Sequence, residues 1–176
     1  DRARRLVAES GYTGEPVVLL AATDVPATAA MSEVGADMLR KAGLTVDYQT
    51  MDWASVVRRL GSREPPARGG WSGYFSSWAG LDHINPAGHL VLRGNGRAGF
   101  VGWPESARIE ALREAWFEAT GLEEQRRIAG ELQRQAMEDV PYIPLGQYFL
   151  PMAHRRTLNG ASQPGGIPLF WGVRKA

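Results

Sequence analysis

The clearest hydrophobic signal is an unbroken apolar run, Val17-Val18-Leu19-Leu20-Ala21-Ala22, introduced by Glu15-Pro16. A strand with one wet face would alternate, so this run predicts a strand covered on both faces. Before it, Ala3, Leu6 and Val7 have helical spacing and Gly11 supplies a stop. After it, Thr23 or Asp24 is placed to cap a helix over about 26–41. Its apolar stripe would be Met31, Val34, Met38 and Leu39, with Gly43 closing it. Val46, Tyr48 and Met51 then predict a second strand, and Asp52 caps a short helix carrying Val56, Val57 and Leu60. Strand, helix, strand, helix in that order implies a parallel pair joined by a crossover.

Further along, 61–70 reads as a surface loop containing Pro65 and Pro66, and 71–78 as a third strand running into an irregular stretch over 79–86. Glycines and Asn95 make 93–104 a long loop. Two helices follow, over 106–119 and 122–139. The first turns Ile109, Leu112, Ala115 and Trp116 inward, the second Ile128, Leu132 and Met137. Trp103, Trp116 and Phe117 are assigned to the core or its cover. The apolar, aromatic segment 141–150 predicts a strand returning to the sheet. The stretch 160–166 is loose, and Leu169-Phe170-Trp171 is an apolar end expected to pack on a partner outside this segment. No internal repeat is present.

Composition narrows the classes of function. A length of 176 residues with 44% hydrophobic and 22% charged residues suits a folded domain. The formal charge is only +1, and the basic side chains are dispersed. Nucleic acid is therefore not the expected partner, because phosphate binding needs a concentrated basic face. The absence of cysteine removes disulfides, thiolate metal sites and cysteine nucleophiles together. No apolar run approaches bilayer length. The opening Asp-Arg-Ala-Arg-Arg is not a basic-then-apolar leader, so the chain is expected to be the interior of a longer one.

Five stretches, in order, carry a resemblance. They are Ala3 to Tyr12, Leu39 to Tyr48, Met51-Asp52-Trp53, Trp71-Ser72-Gly73-Tyr74 on to Asn85-Pro86, and Glu138 to Leu145. Together they resemble the carboxy-terminal lobe of the peptide- and nickel-type solute-binding proteins, family 5. The resemblance implies an α/β fold, a type II periplasmic-binding-protein-like lobe with a mixed, mainly parallel sheet and flanking helices. It implies a single ligand-binding lobe over 1–159 and a tail over 160–176 crossing back toward an absent first lobe. It further implies capture of a short peptide or similar amine-bearing solute in a two-lobe cleft, with an ABC importer's membrane subunits as partners. The setting would be periplasmic or otherwise extracytoplasmic.

The resemblance also points to residues. Asp82 stands four positions before Pro86, where peptide-binding members place the aspartate that accepts the ligand's α-ammonium group. Such a charge-assisted hydrogen bond is about twice as strong as a neutral one. Asp also favours turns, which is the structural alternative for this position. Trp78 falls where members set an aromatic against the ligand, and Ser76, Ser77 and Gly80 offer hydroxyl or backbone groups beside it. Gln147, on the expected late strand, is a further ligand candidate.

Other chemistries are weaker. His83 and His89, separated by Pro86, have no register converging on one metal, so they read as exposed loop histidines and no metal or cofactor is expected. His154 has no visible partner. Arg126-Arg127 and Arg155-Arg156 read as solvated faces. Gly94-Asn95-Gly96-Arg97 lacks the ending of a phosphate loop. Ser76, Ser77, Asp82 and His83 lie close in sequence, but no nucleophile elbow frames them, so no catalytic residue is assigned and a hydrolase is not expected. The remaining alternative is the same fold used as the ligand-sensing module of a regulator.

Overall fold

The computed structural model describes residues 1–162 and 168–176. The chain divides into two compact units, Asp1–Ser77 and Trp78–Ala176.

The first unit is built on the apolar run. Helix α1 spans Arg2–Glu9, strand β1 Val17–Ala22, helix α2 Pro26–Ala42, strand β2 Val46–Met51, helix α3 Trp53–Leu60 and the short strand β3 Gly73–Tyr74. The sheet order is β2-β1-β3 and both pairings are parallel. Val17 faces Val46 at one end of the β1–β2 ladder and Ala22 faces Met51 at the other. With a neighbour on each side, β1 is central, and Val18 through Ala22 are all buried. The expected α/β architecture with a mainly parallel sheet is therefore present. Its third strand is much shorter than 71–78, because only Gly73 and Tyr74 pair with β1.

Helix α2 closes at Gly43, whose φ of 105° lies in the left-handed region that only glycine enters without steric cost. Its start differs from expectation. Val25 is the N-cap residue and no side chain caps the turn. Asp24 instead accepts a hydrogen bond from the backbone N–H of Trp53 (2.8 Å), tying the end of β1 to the start of α3. Asp52 caps α3 as expected, accepting from the Ser55 N–H at 2.9 Å. Hydrogen bonds from the Ser55 hydroxyl and N–H hold its carboxyl below the usual range.

The buried face of α2 also departs from expectation. Val34 and Met38 are exposed, whereas Thr28, Ser32, Gly35 and Ala36 are buried. The reason is a ring. A Cβ on Gly35 would sit 2.0 Å from Phe75 Cζ, so the helix approaches Phe75 through its smallest residue. Apolar spacing identifies large side chains, and this interface is made of small ones.

The second unit holds helix α4, Ala107–Glu118, and helix α5, Leu122–Asp139. Ile109, Leu112, Ile128 and Leu132 form the buried seam between them with Leu92, and Ala115, Trp116, Ala136 and Tyr142 pack around it. Met137 and Phe117 are exposed, contrary to their assignment to the interior. Ala136 takes the place given to Met137. The expected strand over 141–150 does not form. Pro141, Pro144 and Pro151 deprive that segment of amide donors, so it cannot sustain a ladder. Ile143, Leu145, Phe149 and Leu150 are consequently exposed.

A small antiparallel ribbon closes the unit, with β4 at Leu158–Asn159 paired to β5 at Arg174–Lys175. The stretch expected to be loose, 160–166, lies partly outside the described residues. Leu169, Phe170 and Trp171 are exposed, the last at 94%. No helix among the described residues is long and apolar enough to cross a membrane.

In an open helix position Gly→Ala stabilises by about 1 kcal/mol. At position 35 the sign reverses. Gly35→Ala is expected to destabilise the chain by about 1–3 kcal/mol through overpacking against Phe75, read as a lower urea midpoint. Adding Phe75→Leu should recover part of that loss.

Candidate functional site

In the first unit, a cavity of about 220 Å³ is lined by Val25, Thr28, Trp53, Ser76 and Ser77. Its walls share one topological position. Val25 and Thr28 follow β1 and begin α2, Trp53 follows β2 and begins α3, and the two serines follow β3. The cavity thus lies beyond the carboxyl ends of three parallel strands, where open α/β sheets receive ligands. The chain passes from β1 to β2 on one flank and then to β3 on the other, so the strand order reverses at β1.

Thr28 is only 3% exposed, and the Ser76 and Ser77 side chains share the cavity wall with it. Beside them is the uncapped first turn of α2, whose free N–H groups and helix dipole favour an acceptor or a negative charge. Among the described residues no cationic side chain lines the cavity. Ser76 and Ser77 were legible as candidates; Val25, Thr28 and Trp53 were not. The available signal was their position just past predicted parallel strands.

In the second unit, Gly80–His83 forms a 3₁₀ turn that carries Asp82. The Asp82 N–H donates to the Ala79 carbonyl at 2.9 Å. Its carboxylate is exposed and has no ion pair or hydrogen bond among the described residues. Gly80 opens the turn and is exposed. Trp78 is 40% exposed and meets the rings of His83 (5.7 Å) and Phe100 (5.5 Å) edge-on. Gln147 is exposed on the extended segment and not on a strand.

His83 and His89 are not exposed loop histidines. Their rings stack edge-to-face at 4.2 Å, and His89 also meets Tyr142 at 5.4 Å. His89 is 9% exposed. Burial, then the neighbouring His83 and Arg113, push His89 down to about 4, so it is neutral at pH 7. Among the described residues no group of three or more His, Cys, Asp or Glu side chains is placed to hold a metal.

The turn is anchored from α4. Arg113, 5% exposed, donates to the Pro86 carbonyl. Glu110 lies 3.9 Å from its Nε and accepts from Arg93 at 3.0 and 3.1 Å and from the Gly94 N–H at 2.8 Å. Burial alone would raise the Glu110 pKa, but these hydrogen bonds and the charges of Arg93 and Arg113 together hold it below the usual range. Gly94 is needed where it stands, since a Cβ there would lie 2.6 Å from the Ser106 carbonyl.

No family model matches the sequence. A probable peptide ABC transporter periplasmic-binding protein of Sinorhizobium fredii is 35% identical over all 176 residues. That alignment takes in 100% of this chain and 33% of the relative. Over its whole length the chain is thus similar to part of a peptide-type periplasmic-binding protein. Among solved structures, a dipeptide-binding protein from Pseudoalteromonas sp. SM9913 in complex with Met-Leu matches 98% of this chain and 35% of its own, with a TM-score of 0.67 and 20% identity. NikA from Staphylococcus aureus in complex with Ni(L-His)2 matches 78% of this chain and 29% of its own, with a TM-score of 0.60 and 19% identity. These likenesses establish the fold, that of a type II periplasmic-binding-protein-like lobe. The chain spans about a third of the length of the relatives it matches.

Arg113→Met leaves the Pro86 carbonyl without its buried donor and strips a cation from Glu110. The expected loss is about 2–4 kcal/mol in urea denaturation, the scale of breaking one side of a buried charged hydrogen bond.

Proposed function

We propose that this chain is the second lobe of an extracytoplasmic solute-binding protein that delivers short peptides, or similar amine-bearing solutes, to an ABC importer. In this reading residues 1–159 form the lobe and 160–176 the tail that returns toward the first lobe. The observation that carries the ligand class is the Asp82 carboxylate, exposed on a 3₁₀ turn and without a cation of its own among the described residues. A free carboxylate in a closing cleft suits the α-ammonium group of a peptide, because the pair is charge-assisted and strengthens as water leaves. Trp78 offers rigid apolar area that does not depend on the ligand's side chains, and Gly80 and Gln147 supply polar groups.

Ser76 and Ser77, with Thr28 and the first turn of α2, offer hydrogen-bond donors to a carbonyl or carboxylate of the ligand. Support for the transport role comes from the end-to-end match to a peptide ABC transporter periplasmic-binding protein. Capture proceeds without bond-making: two lobes close about a hinge over the solute, and the closed form is what the importer's membrane subunits receive. No residue is given a catalytic role, and no metal or cofactor enters the reading.

Calorimetry on the full-length protein tests the assignment. Asp82→Asn is expected to cost about 2–5 kcal/mol in affinity for a dipeptide with a free amino terminus. It should change little for an N-acetylated peptide, which the wild type should already bind poorly. Equal losses for both peptides would remove Asp82 from amine recognition. The 176-residue chain alone should bind the same dipeptide weaker than micromolar, since half of the enclosing surface is missing; micromolar affinity in the same calorimeter would contradict the two-lobe reading.

A further inference from the structure

We propose that the His83–His89 pair is an acid-triggered release for the turn that carries Asp82 and follows Trp78. The pair joins that turn to the body of the second unit. His83 is the last residue of the 3₁₀ turn and its ring lies edge-on to Trp78. On its other side it stacks on His89, which is buried against Tyr142. The turn therefore rests on a column of stacked rings.

Two buried ring nitrogens in that column, His83 Nδ1 and His89 Nε2, have no hydrogen-bond partner among the described residues. A proton arriving at His89 would be a buried charge without an acceptor, which is costly. The surroundings do not relieve it. From α4, the charged group facing the pair is Arg113, a buried cation. Its carboxylate partner Glu110 is already engaged by Arg93, the Gly94 N–H and Arg113. From the segment after α5, Tyr142 presents a phenol whose pKa burial raises, so it is neutral throughout the acid range. On the turn itself Asp82 is exposed, makes no bond to either imidazole and remains free for solvent or ligand.

The direction of the effect follows. His89 is held at about 4 when packed, against 6.5 for an ordinary histidine. Below 6.5 the released turn takes up a proton that the packed turn refuses, so release gains on packing as pH falls. The ratio of released to packed turn should rise by about tenfold for each pH unit across that window and level off near pH 4. If Asp82 and Trp78 bind ligand as proposed above, acid unloads the protein; that consequence rests on the proposed function, whereas the release itself does not.

The test is made on the full-length protein without ligand. Hydrogen exchange of the amides over 79–92 is followed from pH 7 to 4, after correction for the intrinsic pH dependence of exchange. Opening of this segment should rise about tenfold per pH unit while the amides of Ile109, Leu112, Ile128 and Leu132 keep their protection. His89→Phe, which retains an aromatic ring against Tyr142, should flatten the rise. A wild-type protein whose opening does not change with pH, or a His89→Phe protein that keeps the full rise, overturns the proposal. A His89→Phe chain that does not fold leaves the decision to the wild-type NMR titration of the His89 ring. A midpoint below pH 5 supports the release, and one near 6.5 overturns it. Loss of peptide binding by Asp82→Asn is measured separately, so failure of the release and failure of the ligand assignment are distinguishable.

Discussion

A cation buried beneath a turn imposes the main constraint on the second unit. Arg113 is nearly inaccessible, and a guanidinium in that position must have acceptors or the fold does not close around it. Pro86 supplies one through its carbonyl, and the Glu110 carboxylate 3.9 Å away supplies a counter-charge. Satisfying Arg113 fixes where the chain runs after the 3₁₀ turn, and Glu110 fixes where it runs again at Arg93 and Gly94. The irregular segment between the two is thus held by charge and by backbone acceptors, since it has no ladder of its own. The same cation adds to the burial that keeps His89 neutral.

The first unit obeys a different rule. Its centre is an uncharged strand flanked by two parallel neighbours, and its polar chemistry is pushed to the carboxyl ends of those strands. Loops that leave strand ends begin helices, so hydroxyls and unpaired N–H groups gather there without any charged residue being needed. Each unit therefore carries its own chemistry from local causes: an acidic group on a turn in one, neutral donors at helix starts in the other.

Much of this was legible from residues alone, and the failures have definite causes. β1, β2, the left-handed stop at Gly43 and the Asp52 cap follow from local patterns that need no knowledge of neighbours. The seam of α4 and α5 followed from helical spacing at Ile109, Leu112, Ile128 and Leu132. What failed depended on a partner distant in sequence. Val34 and Met38 fit a stripe, but Phe75 selects the face carrying Gly35. His89 looks like a loop residue until α4 and Tyr142 enclose it. Of the candidate ligand residues, Ser76, Ser77 and Trp78 lie beyond the short β3, where a longer strand was expected, and Gly80 and Asp82 lie on the 3₁₀ turn. Gln147 was placed on a strand that its flanking prolines do not permit.

Those prolines have a colloidal consequence. The segment after α5 exposes Ile143, Leu145, Phe149 and Leu150, the composition from which cross-β stacks nucleate. Pro141, Pro144 and Pro151 interrupt it, and Gly146 weakens the longest stretch between them. Each proline withholds an amide that a second chain would need, so they act as gatekeepers on a surface too greasy to be left as an open edge. Stickiness toward a shape-matched apolar partner is retained, while edge-to-edge growth into fibres is discouraged.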